Sequence, residues 1–230
     1  MFYFIKRLLW WLPNKIIIKV VRPYLQNIDF GQQLLALKST SQYVTDNLDG
    51  VASFKDILKI RDFAIREADS KGLHCEFGVW RGSGINFFAD RTEAVIHGFD
   101  SFEGLPETFG VDYPKGRFSL GGKLPKVRKN VKLHVGWFDK TLPKFKEEYS
   151  DTVSFIHIDC DLYVSTKVIL DSLSDRIIPG TVILFDEYFN YATWQKHEYK
   201  AFQEFVAEKN LNYEYIGYTR DATQVCVKIK

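Results

Sequence analysis

The 230-residue sequence has few cysteines, no strong excess of either charge and no long apolar run. Its three cysteines lie far apart and form no C-x-x-C pair: Cys75, Cys160 and Cys226. This number and spacing argue against a disulfide framework and a structural zinc site, and they fit a reducing, cytoplasmic compartment. No segment approaches the ~20 apolar residues that a helix needs to span a bilayer. We therefore expect a soluble, unprocessed protein of the cytoplasm.

The charges nearly cancel, with 31 Lys and Arg residues against 29 Asp and Glu residues. A protein dedicated to nucleic acid usually shows a clear basic excess, so we expect no nucleic-acid partner. The apolar fraction of 46% is ordinary for a globular protein and excludes disorder as the main state. The length allows one large domain with an appendage.

The N-terminal segment is basic and amphipathic. Residues 1–28 contain no acidic residue, and apolar residues recur there at helical spacing. The basic residues are Lys6, Arg7, Lys15, Lys19 and Arg22. We predict a helical appendage over residues 1–70. Three roles stay open for its first part: peripheral contact of residues 1–26 with the inner face of a membrane, formation of a homo-oligomer, and packing on the main domain.

From residue 71 to residue 230, short apolar runs alternate with stretches of helical periodicity. Seven runs predict strands, at about 73–79, 95–99, 131–135, 153–158, 181–185, 213–218 and 224–229. Strand–helix alternation predicts an α/β, Rossmann-like domain with a mostly parallel, seven-stranded sheet. The last two strands are too close in sequence for a crossover helix, so we expect them to form an antiparallel hairpin.

One long segment of this domain, residues 101–130, lacks periodicity and is rich in glycine and proline. A loop of this length in a compact domain often covers a binding site. It carries six basic residues against three acidic ones. We predict a lid that favours an anionic acceptor, the alternatives being a solvated loop or a disordered insertion.

A glycine-rich turn follows the first predicted strand of the domain, in E-F-G-V-W-R-G-S-G at 76–84. Glycine there lets the backbone approach a ligand closely, and the next helix N-terminus offers free N–H groups. Asp100 ends the next strand, where an acidic residue can accept hydrogen bonds from both ribose hydroxyls. These features fit NAD and S-adenosylmethionine alike. The bulky Phe87 departs from the dinucleotide fingerprint, and the closing hairpin favours a methyltransferase sheet.

Several residues around this turn and the following strand ends are candidates for binding the cofactor. Trp137 and Phe138 follow the third predicted strand and are placed either near an adenine ring or in the core. The full set is Glu76, Gly78, Gly82, Ser83, Asp100, Ser101, Trp137, Phe138 and Asp159.

Four carboxylates follow two further strands: Asp159, Asp161, Asp186 and Glu187. If the strands are neighbours, these groups meet at the edge where open α/β folds bind ligands. Close carboxylates repel one another unless a cation lies among them, and their oxygens suit Mg²⁺. The alternative is that one or two of them cap helices. His157, inside the first of these strands, is either a ligand, a base or a buried structural residue.

On these residues the sequence resembles the macrocin-type O-methyltransferases. The resemblance covers about residues 70–230 and rests on the turn at 76–84 and on four further segments. These are G-F-D-S-F-E-G-L-P-E (98–107), G-W-F-D-K-T-L-P (136–143), D-C-D-L-Y-V-S-T (159–166) and G-T-V-I-L-F-D-E-Y (180–188).

The resemblance implies a class I methyltransferase fold that uses S-adenosylmethionine to methylate sugar hydroxyls. It also implies Asp159, Asp186 and Glu187 as Mg²⁺ ligands and Asp161 as the base, with Glu187 standing where the family usually has Asp. We therefore expect Mg²⁺-assisted O-methylation of a sugar in a glycan, a nucleotide sugar or a glycosylated metabolite. Two other functions stay open: methylation of catechol-like phenols, and a non-catalytic, nucleoside-binding scaffold.

Overall fold

A computed structural model of the chain describes residue 19, residues 26–110 and residues 113–230. The strands are β1 (Ala52–Phe54), β2 (Leu73–Phe77), β3 (Ile96–Asp100), β4 (Val131–Val135), β5 (Val153–Ile158), β6 (Ile177–Phe185), β7 (Tyr213–Thr219) and β8 (Val225–Ile229). The α-helices are α1 (Ile28–Asn47), α2 (Ile57–Glu67), α3 (Ser83–Ala89), α4 (Phe138–Glu148), α5 (Tyr163–Ser172) and α6 (Glu198–Glu208). A short 3₁₀ helix, Trp194–Lys196, precedes α6.

These strands form one sheet in the order β1-β7-β8-β6-β5-β2-β3-β4. Neighbouring strands are parallel, except that β8 runs antiparallel to both β6 and β7. The predicted α/β fold, with its mostly parallel sheet and antiparallel closing hairpin, is confirmed. Because β2 and β5 lie side by side at the centre, the turn after β2 meets the carboxylates after β5.

The sheet has eight strands, so the prediction of seven was wrong by one. The additional strand is β1, which pairs in parallel with β7, Ala52 opposite Gly217. Its three residues are too few to show the alternation that identifies a strand in sequence. Helix α2 follows and buries Ile60, Ala64 and Ile65. Part of the segment 1–70 therefore joins the sheet and its core.

Helix α1 begins after Asn27, whose side chain accepts hydrogen bonds from the N–H groups of Asp29 and Phe30. It docks on the segment after β6, where the Trp194 indole donates to Ser39 Oγ over 3.0 Å. The part of the predicted helical appendage proposed to contact a membrane, residues 1–26, lies outside the described residues, apart from residues 19 and 26. None of the described helices combines the length and the apolar character needed to cross a bilayer.

Two clusters of buried apolar side chains lie on opposite faces of the sheet. Phe155 of β5 belongs to one cluster, whereas Ile156 and Ile158 of the same strand belong to the other. Alternate residues of a strand point to opposite faces, so the strand is covered on both sides. This burial explains why β5 is an almost continuous apolar run in sequence.

Three histidines, two of them buried and the third half-buried, make the stability of this core depend on pH. Burial, with His134 and Lys132 nearby, lowers the pKa of His97 to about 4. Burial also lowers the pKa values of His74 and His134. The ordinary histidine pKa is about 6.5, so between about pH 4 and 6.5 the unfolded chain binds more protons than the folded chain. The stabilisation from a neutral His97 is complete above that range and is lost as the pH falls through it.

We therefore expect a His97→Gln variant, which cannot titrate, to gain stability relative to the natural protein as the pH is lowered from 7 to 4. The relative gain should reach up to ~3 kcal/mol at pH 4. Urea unfolding of both proteins across this range measures it. Parallel pH profiles for the two proteins would show that His97 is not held neutral by the fold.

Candidate active site

A cavity of about 510 Å³ opens at the carboxyl ends of the central parallel strands. This is the edge of an open α/β sheet where ligands bind. Seven of the residues predicted to bind the cofactor lie on its wall: Gly78, Ser83, Asp100, Ser101, Trp137, Phe138 and Asp159. The sheet order therefore brings together strand ends that are far apart in sequence.

Gly78, at the end of β2, lets two loops of this wall touch. Its φ is +94°, in the left-handed region that favours glycine. A Cβ added there would overlap the backbone carbonyl oxygen of Asp159. The Gly78 N–H donates to Phe99 O over 3.0 Å. A residue without a side chain is thus required where the ends of β2, β3 and β5 converge.

The Asp100 carboxylate organises the turn after β2. Its Oδ2 accepts the N–H groups of Val79 and Trp80 over 2.9 and 2.7 Å, and its Oδ1 accepts the N–H of Phe102 over 2.7 Å. These three bonds tie the loops after β2 and β3 together. Each carboxylate oxygen has two lone pairs. Oδ2 already accepts two hydrogen bonds and Oδ1 one, so the predicted contact with a ribose hydroxyl stays open to Oδ1.

Two residues predicted to bind the cofactor, Glu76 and Gly82, do not line the cavity. Glu76 is buried beneath the start of α3, where a Cβ added to Gly84 would lie 2.9 Å from its Oε2. The same oxygen lies 3.1 Å from His157 Nδ1. The structure thus places Glu76 behind the wall, as a partner of His157.

The two aromatic residues after β4 line the cavity, and one of them also contacts the core. Trp137 is partly exposed at the cavity, and Phe138 begins α4. The Phe138 ring also packs edge-on against Phe77, with 5.4 Å between ring centroids. Phe138 therefore lines the cavity and also packs against the core, and its place near an adenine ring stays a prediction.

The four carboxylates meet at one edge, because β5 and β6 are hydrogen-bonded neighbours. The Asp186 N–H donates to Ile158 O over 2.9 Å and fixes the two strand ends together. Asp159, Asp161 and Glu187 lie on the cavity wall, whereas Asp186 lies behind it. The predicted juxtaposition of the two strand ends is therefore present.

Arg61 of α2 reaches into this group, and nothing in the sequence pattern points to it. Its Nη2 lies 3.0 Å from Asp186 Oδ1 and 3.6 Å from Asp159 Oδ2. His157 Nε2 approaches the same Asp186 oxygen to 3.5 Å. In sequence, α2 falls within the predicted appendage, and a lone arginine on an amphipathic helix carries no motif.

These contacts set the charges of the buried groups. Burial acts to lower the pKa of Arg61, but the charges of Asp186 and Asp159 raise it overall. Burial likewise opposes the charged form of His157, yet Asp186 and Glu76 raise the pKa of His157 to about 9. Burial acts to raise the pKa of Asp186, but His157 and Arg61 hold it below its usual range. Asp186 is therefore ionised between two cations.

Asp161, Glu187 and the adjacent Glu198 have no cationic partner among the described residues. Burial and neighbouring carboxylates raise the pKa values of Glu187 and Glu198 well above their usual range. Mainly burial raises the pKa of Asp161 to about 6. Glu198, the fully buried first residue of α6, accepts the N–H of Glu187 over 3.0 Å. Glu198 was not predicted from the sequence, because a glutamate in the first turn of a helix is common.

This donor set fits a divalent cation. Among the described residues, Glu187 Oε2 and Glu198 Oε1 are buried without a hydrogen-bond partner. Asp159 and Asp186 each place one potential ligand atom within 4.8 Å of the other, whereas the protonated His157 has no lone pair to offer a metal. The two contacts of Arg61 use one oxygen of each aspartate, which leaves the second oxygen for another ligand. Hard oxygen donors with unmet charge are suited to Mg²⁺.

The predicted lid lies against the cavity. Leu105, Pro106 and Phe118 of residues 101–130 line it, and Phe118 packs edge-on against Trp80. The far end of the loop is anchored by Arg128, which donates two hydrogen bonds to Asp90 over 2.7 and 2.9 Å. The charge of Arg128 is thus already paired with that of Asp90. Closure of the loop over a ligand stays a prediction.

The strand order, the glycine turn after β2 and the closing hairpin define a Rossmann-like methyltransferase fold. Solved structures show the same architecture. The calicheamicin methyltransferase CalS11 superposes with a TM-score of 0.60 at 20% identity, over 88% of this chain and 93% of that chain. The O-methyltransferase NovP superposes with a TM-score of 0.56 at 22% identity, over 74% of this chain and 78% of that chain.

The model of the macrocin-O-methyltransferase (TylF) family matches residues 56–223, so the chain belongs to this family. The resemblance seen in the sequence is confirmed. A tetracenomycin 4'-O-methyltransferase of Streptomyces olivaceus, named for its dimethoxy-rhamnosyl substrate, is 32% identical over 139 residues, covering 49% of this chain and 51% of that protein. Demethyldecarbamoylnovobiocin O-methyltransferase of Streptomyces niveus is 29% identical over 137 residues, with the same shares covered. The chain spans about half the length of these curated relatives.

Proposed function

We propose that the protein is an S-adenosylmethionine-dependent O-methyltransferase that methylates a sugar hydroxyl with the assistance of Mg²⁺. One observation carries this proposal: a single cavity joins the glycine turn after β2 to the carboxylates after β5 and β6. Membership of the macrocin-O-methyltransferase family supports it, as do the rhamnosyl and novobiocin substrates named for the two curated relatives.

The half of the cavity near the glycine turn would hold the cofactor. When bound, S-adenosylmethionine supplies an electrophilic methyl group on a sulfonium sulfur. Gly78 would let the cofactor approach the backbone closely, and Asp100 Oδ1 would accept a ribose hydroxyl. Trp137 and Phe138 would contact the adenine ring. Positioning of the reacting pair is the main task of the protein, since the methyl group is already reactive.

The other half of the cavity would bind and activate the acceptor. As the new C–O bond forms and the C–S bond breaks, the acceptor hydroxyl must lose its proton. Asp161 lies on the cavity wall, and its pKa is about 6. It is therefore ionised at pH 7, and its pKa is close enough to pH 7 for it to serve as a general base. Asp159, Asp186 and Glu187 would hold Mg²⁺, which lowers the pKa of a hydroxyl that it binds.

An acceptor panel tests this function. The purified protein is incubated with S-adenosylmethionine, Mg²⁺ and, in turn, nucleotide sugars, lipid-linked glycans, a glycosylated aromatic metabolite and a catechol. We expect methylation of a sugar, inhibition by a chelator and recovery with added Mg²⁺. The basic lid should favour phosphate-bearing sugars over neutral ones.

The same panel separates the alternatives. Methylation of the catechol alone would favour the phenol methyltransferase. Calorimetric binding of S-adenosylmethionine without any transfer would favour the non-catalytic scaffold. Absence of both binding and transfer would contradict the proposal as a whole.

A further inference from the structure

Arg61 stands out among the buried groups, because it brings a fixed positive charge to the carboxylates proposed to hold the metal. Its side chain is only 11% exposed, and its Nη2 approaches one oxygen of Asp186 and one of Asp159. Burying an arginine is costly unless its charge is compensated. Here the compensating charge comes mainly from Asp186, 3.0 Å from Nη2, because burial and the charge of Asp186 raise the pKa of Asp159 well above its usual range.

The placement of the guanidinium indicates a role beyond packing. Among the described residues, Arg61 Nε is buried without a hydrogen-bond partner. The side chain therefore leaves one of its own donors unsatisfied while Nη2 spans both aspartates. Arg61 belongs to α2, which packs on the sheet through Ile60, Ala64 and Ile65, so its backbone is held rigidly.

We infer that Arg61 is a positioning residue that shares Asp159 and Asp186 with the metal ion, binding one oxygen of each carboxylate and leaving the other to the metal. This inference rests on the proposed function. A unit charge held so close opposes the binding of a divalent cation. It also limits how much negative charge the two carboxylates donate to the metal, which then polarises an acceptor hydroxyl more strongly. Arg61 thus lowers the affinity of the site for Mg²⁺ and raises the reactivity of the acceptor hydroxyl that the metal binds.

This role predicts an unusual pair of effects when the charge is removed. In Arg61→Gln and Arg61→Met, Mg²⁺ should bind roughly tenfold more tightly, because a nearby positive charge has gone. Turnover should fall about tenfold or more, since the carboxylates lose their fixed orientation. Arg61→Lys keeps the charge and should retain Mg²⁺ affinity close to that of the natural protein. A merely structural arginine would instead weaken metal binding when replaced.

The experiment is Mg²⁺ titration by calorimetry on the full chain, with methyl-transfer rates measured in parallel. Arg66→Gln is the matched control, since Arg66 lies on the same helix, is 73% exposed and pairs with Asp62. It should leave both quantities unchanged. For a variant too unstable for calorimetry, the increase in Tm on adding Mg²⁺ gives the same information, and it should exceed that of the natural protein.

The outcomes separate this inference from the proposed function. Mg²⁺ binding by the natural protein with equal or weaker binding by Arg61→Gln overturns the role of Arg61 and leaves the proposed function intact. Binding by Arg61→Gln alone overturns the sharing role of Arg61, since the natural protein would hold no metal beside it, and contradicts the proposed use of Mg²⁺. Absence of binding by both contradicts both.

Discussion

Replacing Gly78 with alanine should abolish S-adenosylmethionine binding and, with it, methyl transfer. The Gly78 φ of +94° already disfavours a side chain. The added Cβ would also lie 2.7 Å from the carbonyl carbon of Asp159, against backbone that cannot rotate away. The loops after β2 and β5 must therefore separate, and a shift of ~1 Å at a reacting centre can cost about 100-fold in rate. Calorimetry with S-adenosylmethionine measures the effect.

Gly180→Ala is the matched control for this substitution. Gly180 has a φ of +98°, so alanine meets a similar backbone strain there, but nothing lies within 4 Å of the added Cβ. We expect a modest loss of stability and unchanged cofactor affinity. Normal cofactor binding by a folded Gly78→Ala variant, or an equal loss in Gly180→Ala, would show that the close approach to Asp159 is unimportant.

Replacing Asp161 with asparagine should lower kcat by about 10²–10⁴-fold, the usual contribution of a general base. Asparagine preserves the size of the side chain and tolerates the positive φ of +62° found at this position. The substitution therefore removes the proton acceptor while the loop keeps its shape. Cofactor affinity should remain close to that of the natural protein, because the glycine turn is untouched. Steady-state rates with saturating S-adenosylmethionine and the acceptor identified by the panel measure the loss.

Asp171→Asn provides the comparison for Asp161. Asp171 lies on α5, is 46% exposed and pairs with Lys167 over 2.8 Å, away from the cavity. Its replacement should leave the rate unchanged. An Asp161→Asn variant with full activity would exclude Asp161 as the base. A variant that no longer binds the cofactor would assign Asp161 to the cofactor half of the cavity.

Features encoded by short stretches of sequence were the ones that could be predicted. An apolar run that predicts a strand precedes each of three features: the glycine turn at 76–84 and the carboxylates at 159–161 and 186–187. Parallel strands bring such ends to one edge of a sheet, so the approximate place of the site followed. The closing hairpin was predictable for the same reason, because its two strands are adjacent in sequence.

Features that depend on distant pairing could not be predicted. The three residues of β1 become a strand only because β7 offers an edge for them. Glu76 has the position of a cofactor ligand in sequence, but the packing of α3 above it turns its carboxylate towards His157. Glu198 enters the acidic group only because α6 begins beside Glu187.

The sequence by itself determined the α/β class, the order of strands and helices from residue 71 onward, the glycine turn and the presence of carboxylates at two strand ends. These follow from periodicity and from residue types within a few positions of one another. Only the tertiary structure decided how those carboxylates are charged. Arg61 meets Asp186 across 125 positions of the chain, and ionisation in a buried group depends on such neighbours in space.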